Sequence, residues 1–265
     1  MTLTFPNESD EYRRARARLL EEEITLRRVM ESVAAARRAL PPGGEVPEDY
    51  SFDAVDHAGR PGKVRLSELF TGKSGSLIVY HFMFPRHATD DRPQTSSGSL
   101  KHLPKTEGPC PSCTALLDQI DPVIPHLEAA GMTFAAVAKA PIDRVAAFAR
   151  DRGWDRLRML SALGNTFKRD YGGEDADGQQ MPTLSVFQRA SDGCTRHFWS
   201  SELLYAPADP GQDPRHVGTI EPLFNLMDFT PGGRPRWEEQ LEYPCCREKS
   251  APKHEGMKER NRSSA

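Results

Sequence analysis

The residues whose type and spacing best support covalent chemistry are Cys110 and Cys113, within the run Gly108-Pro109-Cys110-Pro111-Ser112-Cys113. Thiols three residues apart stand about one turn apart once the segment is helical. Pro111 favours that outcome, because proline suits the first helical turn, where a missing N–H removes no hydrogen bond. A sulfur at a helix start faces unsatisfied backbone N–H groups and the positive end of the helix dipole, so Cys110 is expected below the free-thiol pKa of about 8.5. Cys110 is thus read as the exposed nucleophile, attacking as a thiolate, and Cys113 as the residue that displaces the mixed disulfide formed there. The chemistry is thiol–disulfide exchange, which needs no organic cofactor beyond an external electron donor.

Other uses of the pair stand beside this one. Two cysteines at this spacing also serve zinc, with His81, His87, His102 or Cys245 and Cys246 completing four ligands, although the spacings fit no familiar zinc pattern and no metal is assigned. They could be inert packing residues. Oxidation of Cys110 to a sulfenic acid, with Cys113 condensing on it, would make the pair a thiol peroxidase, distinguished by consumption of peroxide. The stretch 85–109 carries Arg86, His87, Arg92, Lys101, His102 and Lys105. Any of these would lower the Cys110 pKa further if it lay alongside, and solvated loop residues are the plainer expectation. Cys194 is expected to be a small buried residue. Adjacent Cys245 and Cys246 bridge each other only through a strained ring, but on a tail they could pass electrons to Cys110 and Cys113. Trp154, Trp199 and Trp237 are read as packing residues.

The composition sets the background. Of 265 residues, 37% are apolar and 28% charged, which suits a globular domain with a real core. No apolar run approaches the ~18 residues of a membrane-spanning helix. The net charge of −3 provides no sequence-wide field for nucleic acid or anionic lipid. Five cysteines are an odd number and too sparse for a secreted disulfide scaffold, and the opening residues do not form a targeting segment, so the cytoplasm is the expected location.

Three parts follow from periodicity. Residues 1–44 hold one long helix over 7–40, capped at Asn7 or Ser9 and stopped by Pro41-Pro42-Gly43-Gly44. Tyr12, Ala15, Leu19, Leu26, Met30 and Val33 form an apolar stripe that must pack on something, while Glu and Arg alternate elsewhere as a solvated face. Residues 45–230 alternate strand and helix: strands at 76–84, 132–138 and 158–161, helices at 111–130, 141–153 and 220–227, and a hairpin pairing 183–188 with 194–200. Pro122 and Pro125 should split the helix at 111–130. Residues 231–265 read as a largely irregular or disordered tail.

Strand, CxxC at a helix start, strand, helix, Met181-Pro182-Thr183 opening a hairpin, and last helix together resemble the thioredoxin superfamily over roughly 76–227. More narrowly, the opening Phe5-Pro6-Asn7-Glu8-Ser9, the 34–41 stretch and Asp49-Tyr50-Ser51-Phe52 look like a bacterial thioredoxin-like family long catalogued as a domain of unknown function. The resemblance implies a thioredoxin-like α/β fold, a central mixed sheet flanked by helices, with a long N-terminal helical extension. It also implies a cis-proline at Pro182 beside the cysteines, with Pro111, Ser112, Met181, Pro182 and Thr183 meeting the substrate. Partners would be a protein or small-molecule disulfide and an external thiol reductant, without nucleic acid or membrane. A non-catalytic binding module on the same scaffold, or a homodimer through the N-terminal helix, is the alternative. The sequence departs from thioredoxin in lacking a Trp before Cys110 and in carrying the insert at 85–109, so recognition of substrate should differ.

Overall fold

A computed structural model describes residues 3–56, 59–71 and 73–243. A helix, α1 (Asp10–Arg38), precedes a hairpin of β1 (Ser51–Val55) and β2 (Pro61–Arg65). Then come β3 (Ser76–His81), α2 (Pro111–Ile120), α3 (Ile124–Ala129), β4 (Met132–Ala138), α4 (Ile142–Arg152) and β5 (Arg158–Ser161). The short α5 (Phe167–Asp170), the hairpin β6 (Leu184–Arg189) and β7 (Thr195–Ser200), and α6 (Pro222–Asp228) complete the order.

The seven strands form one sheet in the order β2-β1-β5-β4-β3-β6-β7. Strands β3, β4 and β5 run parallel at its centre, with antiparallel neighbours on both sides. Here β3, the helices α2 and α3, and β4 form the expected crossover unit. The mixed sheet flanked by helices is the thioredoxin-like architecture the sequence implies.

The continuous apolar character of β3 follows from its central place, because both of its faces are covered. Leu77 and Val79 pack on one face with Phe52 and Phe167. Ile78 and Tyr80 pack on the other with Leu116 and Leu117 of α2. On that second face Phe82, Phe84, Phe148 and Trp154 meet edge to face at 5.5–6.0 Å between ring centroids. The prolines act as expected: a 3-10 turn at Asp121–Val123 divides α2 from α3. Gly153 closes α4 at φ 72°, a left-handed conformation that favours glycine.

Five expectations change. The strand begun at Ser76 leaves the ladder after His81, and the cis peptide bond among the described residues is Phe84–Pro85, not Met181–Pro182. The β1–β2 hairpin is additional. In α1, Ser9 rather than Asn7 caps the helix, accepting from the Tyr12 N–H at 3.1 Å, but none of its residues is buried. Its apolar stripe remains exposed within the chain, with Leu19 at 55% and Leu26 at 59%. The helix end meets the sheet region, where the Arg37 guanidinium lies 4.7 Å from the Trp199 ring centroid. Finally, residues 231–243 form neither helix nor strand, yet Leu241 is buried in the core. The disorder expected farther on falls on residues outside the described ones. Among the described residues, no helix is long and apolar enough to cross a membrane.

Candidate active site

The chain enters the site from the end of β3. The Cys110 N–H donates to the Met83 carbonyl at 2.9 Å, fixing the cysteine backbone beside the strand. Gly108 permits a close pass, because a Cβ there would lie 2.2 Å from the Gln94 side-chain nitrogen. Cys110 is the extended residue at the N-terminus of α2, and Pro111 is the first helical residue. Its carbonyl accepts from the Thr114 N–H at 3.0 Å and from the Thr114 hydroxyl at 2.8 Å, which locks the first turn. Ser112 and Cys113 follow on that turn, and both cysteines are free thiols.

The two sulfurs occupy opposed electrostatic environments. The Cys113 thiol draws Cys110 down to about 7 against the cost of burial, helped by the Cys113 N–H and the Arg92 guanidinium. Burial, followed by the proximity of Cys110, pushes Cys113 well above the ordinary thiol range. The Tyr80 hydroxyl donates to the Cys113 sulfur at 3.2 Å. Burial and the nearby cysteines in turn hold the Tyr80 phenol above its usual range, so Tyr80 stays a protonated donor.

Arg92 is the charged residue at the mouth of the site. Its guanidinium grips both Asp90 oxygens, at 2.9 and 2.7 Å, and sends another N–H toward the Cys110 sulfur at 3.6 Å. It also donates to the Ser112 hydroxyl at 2.8 Å. A buried Arg86 holds the Arg92 carbonyl at 2.8 Å. Of the six basic residues in the insert, these two take part in the site. Lys101, His102 and Lys105 are exposed, and His87 bonds Thr89. Sequence pattern alone could not pick out Arg92, since Asp90-Asp91-Arg92 reads as an ordinary solvated cluster. Tyr80 carried a signal: a tyrosine in a buried strand needs a partner for its hydroxyl.

Cys110 is not exposed. Both cysteines are only 1% accessible, and residues 239–242 lie against the residues that flank Cys110. Ser112 donates to the Glu239 carboxylate at 3.0 Å, and Arg92 donates to the Glu239 carbonyl at 3.3 Å. Leu241 joins the same apolar cluster as the two cysteines. Arg152, held by Asp118, donates to the Leu241 carbonyl at 2.8 Å. The Glu242 carboxylate is cradled by Thr95, Ser96 and Ser97. The expectation of an accessible nucleophile fails because the covering residues lie more than a hundred positions away and carry no periodic pattern.

The Met181-Pro182-Thr183 stretch leads into β6 beside β3, with the Thr183 carbonyl accepting from the His81 N–H at 2.8 Å. Side chains alternate along a strand. Leu184, the first residue of β6, packs in the cysteine-face cluster, and Thr183 before it turns to the other face. There the Thr183 hydroxyl donates to the Gly172 carbonyl at 3.0 Å, and the residue lines a cavity of about 410 Å³ with Tyr171 and His197. The Met181 N–H is taken by the Gly173 carbonyl at 3.0 Å.

Among the zinc candidates, His81 lies on the far face, stacked on Phe167 with ring centroids 5.5 Å apart. Among the described residues, no group of three or more His, Cys, Asp or Glu gathers as a metal site. Cys194 is half-exposed at the β6–β7 turn rather than buried, its N–H bonded to Asp192 at 2.9 Å. Cys245 and Cys246 lie outside the described residues.

Three solved structures are similar to this chain at low identity. AhpC of Enterococcus faecalis is 13% identical, with 66% of this chain and 87% of that one covered at a TM-score of 0.41. Peroxidoxin BcpB of Mycobacterium tuberculosis is 17% identical, with 69% and 94% covered at 0.40. A hypothetical protein from Sinorhizobium meliloti is 14% identical, with 68% and 80% covered at 0.38. No curated protein matches the sequence. A family model matches residues 2–250, nearly the whole chain, and the protein therefore belongs to the family "Bacterial protein of unknown function (DUF899)".

Proposed function

We propose that this chain is a thiol–disulfide oxidoreductase, with Cys110 as the attacking and Cys113 as the resolving residue. The observation that carries the reading is the opposed displacement of two adjacent thiols at a helix start, one drawn down to about 7 and one pushed up. Perturbed neighbours of this kind mark sites that hold and move protons. The Cys110 thiolate attacks one sulfur of a disulfide, forming a mixed disulfide and releasing the other half as a thiolate. Cys113 then loses its proton and attacks the Cys110 sulfur, releasing the second half. The product is a Cys110–Cys113 disulfide, and two electrons have passed to the substrate. An external thiol reductant restores the pair.

Each neighbour has a part in this sequence. Arg92 stabilises the Cys110 thiolate, and the helix start adds to that field. Tyr80 stabilises negative charge on Cys113 as it deprotonates. Pro111 and Ser112, with Met181 and Pro182 on the strand side, would form the surroundings through which substrate is aligned, whereas the Thr183 side chain turns to the other face. Reduction of a protein or small-molecule disulfide by the wild type, by Cys110→Ser and by Cys113→Ser tests the assignment. Cys110→Ser should be inactive, and Cys113→Ser should stop at the mixed disulfide. Retained turnover in Cys110→Ser would remove the proposal, and peroxide consumption measured in parallel decides whether the oxidant is a peroxide instead.

A second role rests on α1. Its exposed Leu19, Leu26 and Met30 leave an apolar stripe uncovered by the described chain, which favours an association surface such as a homodimer. Leu19→Glu with Leu26→Glu should lower the mass seen by sedimentation if that surface joins two chains, and an unchanged mass would exclude it.

A further inference from the structure

Residues 239–242 close the CxxC site in an unusual way. Among the described residues, the stretch 234–243 has no main-chain hydrogen bond to any strand or helix. Side chains of the domain hold it instead, at three successive places. The Glu239 carboxylate and carbonyl meet Ser112 and Arg92. The Leu241 side chain enters the cysteine-face cluster while Arg152 takes its carbonyl. The Glu242 carboxylate sits among Thr95, Ser96 and Ser97. A segment without regular structure that is held by side-chain anchors, two of them the Ser112 and Arg92 neighbours of Cys110, is bound as a peptide is bound in a recognition groove.

We propose that residues 239–242 occupy the groove in which this site receives an extended polypeptide. That polypeptide would carry a carboxylate in the place of Glu239 and an apolar side chain in the place of Leu241, two residues on. The chain's own segment is an internal competitor: with it seated, no disulfide reaches Cys110, and an incoming acidic-apolar segment must displace it. The groove contributes the discrimination. Arg92 and the Ser112 hydroxyl require an acceptor, the apolar cluster that takes Leu241 requires an apolar group, and Arg152 reads the main chain. Because the competitor is tethered, its high effective concentration keeps the site closed to weakly matched partners. The word substrate here rests on the redox reading, whereas the groove and its occupant do not.

The test measures alkylation of individual cysteines by iodoacetamide at pH 7 in the full chain, followed by peptide mass mapping. Glu239→Ala combined with Glu242→Ala should raise the Cys110 rate about tenfold or more, the scale set by losing charge-assisted hydrogen bonds. Cys194, on the distant β6–β7 turn, should react as in the wild type, and the exposed neighbour variant Glu238→Ala should change neither rate. A synthetic peptide of residues 237–243 should restore protection saturably in the double variant, while the same peptide with Ala at the Glu239, Leu241 and Glu242 positions should not. An unchanged Cys110 rate, an equal rise at Cys194, or protection that ignores the peptide sequence would overturn the proposal. Segment-controlled labelling in a protein that reduces no disulfide would keep the groove and sink the redox reading instead.

Discussion

The two faces of the sheet bury ionisable groups in opposite ways. On the cysteine face, the Cys113 thiol and N–H and, less strongly, the Arg92 guanidinium act on Cys110, and the result is a sulfur held near its charged form inside the protein. On the other face, His81 is fully buried and driven toward its neutral form by burial, and fully buried Lys168 is driven the same way by burial that outweighs the attraction of Cys113 and Glu174. Lys168 donates to the Phe82 carbonyl at 2.9 Å and reaches the Val137 carbonyl at 3.4 Å. His81 starts a chain of hydroxyls through Ser185 and Ser200 to His197, with steps of 3.2, 2.8 and 2.8 Å. Burial alone removes charge, and only a positioned partner retains it. Retained charge on a nucleophile separates a reactive centre from a structural polar network.

That contrast can be broken from either side. The largest effect belongs to the cysteines: Cys110→Ser should reduce disulfide turnover to the uncatalysed background, and Cys113→Ser should leave a mixed disulfide detectable by mass spectrometry. Next is Lys168→Met, which removes a desolvated amine and should raise stability by roughly 1–3 kcal/mol at pH 7 in urea unfolding. The sign follows from the pKa lowered to about 7 in the fold from 10.5. Between those values the unfolded chain holds a proton that the folded chain lacks. Wild-type stability should therefore rise as pH climbs through that window, and the variant should lose the slope.

On the cysteine face the effects are smaller. Arg92→Met should raise the Cys110 pKa by about one unit and slow its alkylation at pH 7 by up to tenfold. Arg92→Lys should recover part of the loss. Tyr80→Phe should leave Cys110 alkylation unchanged but slow the Cys113 step about threefold, as expected for one neutral hydrogen bond, read by stopped-flow release of the second thiol.

Local chemistry made much of this legible before the structure. Pro111 at the helix start, the prolines that divide α2 from α3, and the two-sided apolar run of β3 each act within a few residues, so their pattern carries the information. The β1–β2 hairpin was missed because Lys63 and Arg65 face solvent on an edge strand and break the apolar alternation. Arg92 was legible as one of six basic candidates in the insert, and its pattern did not single it out, whereas Glu239 was not legible because its contacts cross more than a hundred positions. The stripe on α1 was legible as a pattern, but its partner was not, since nothing in its own periodicity says what covers it. The strand that follows Pro182 pairs with β3, whereas the cis peptide bond among the described residues precedes Pro85 and not Pro182.

The central claim is that Cys110 is ionised near neutrality while its neighbour is not. Thiolate absorbance of the reduced protein, followed from pH 5 to 10 in the wild type and in Cys110→Ser, addresses it directly. The account predicts a wild-type step centred at about 7 that vanishes in the variant. A single step at the ordinary thiol value of about 8.5, unchanged by the substitution, would contradict it.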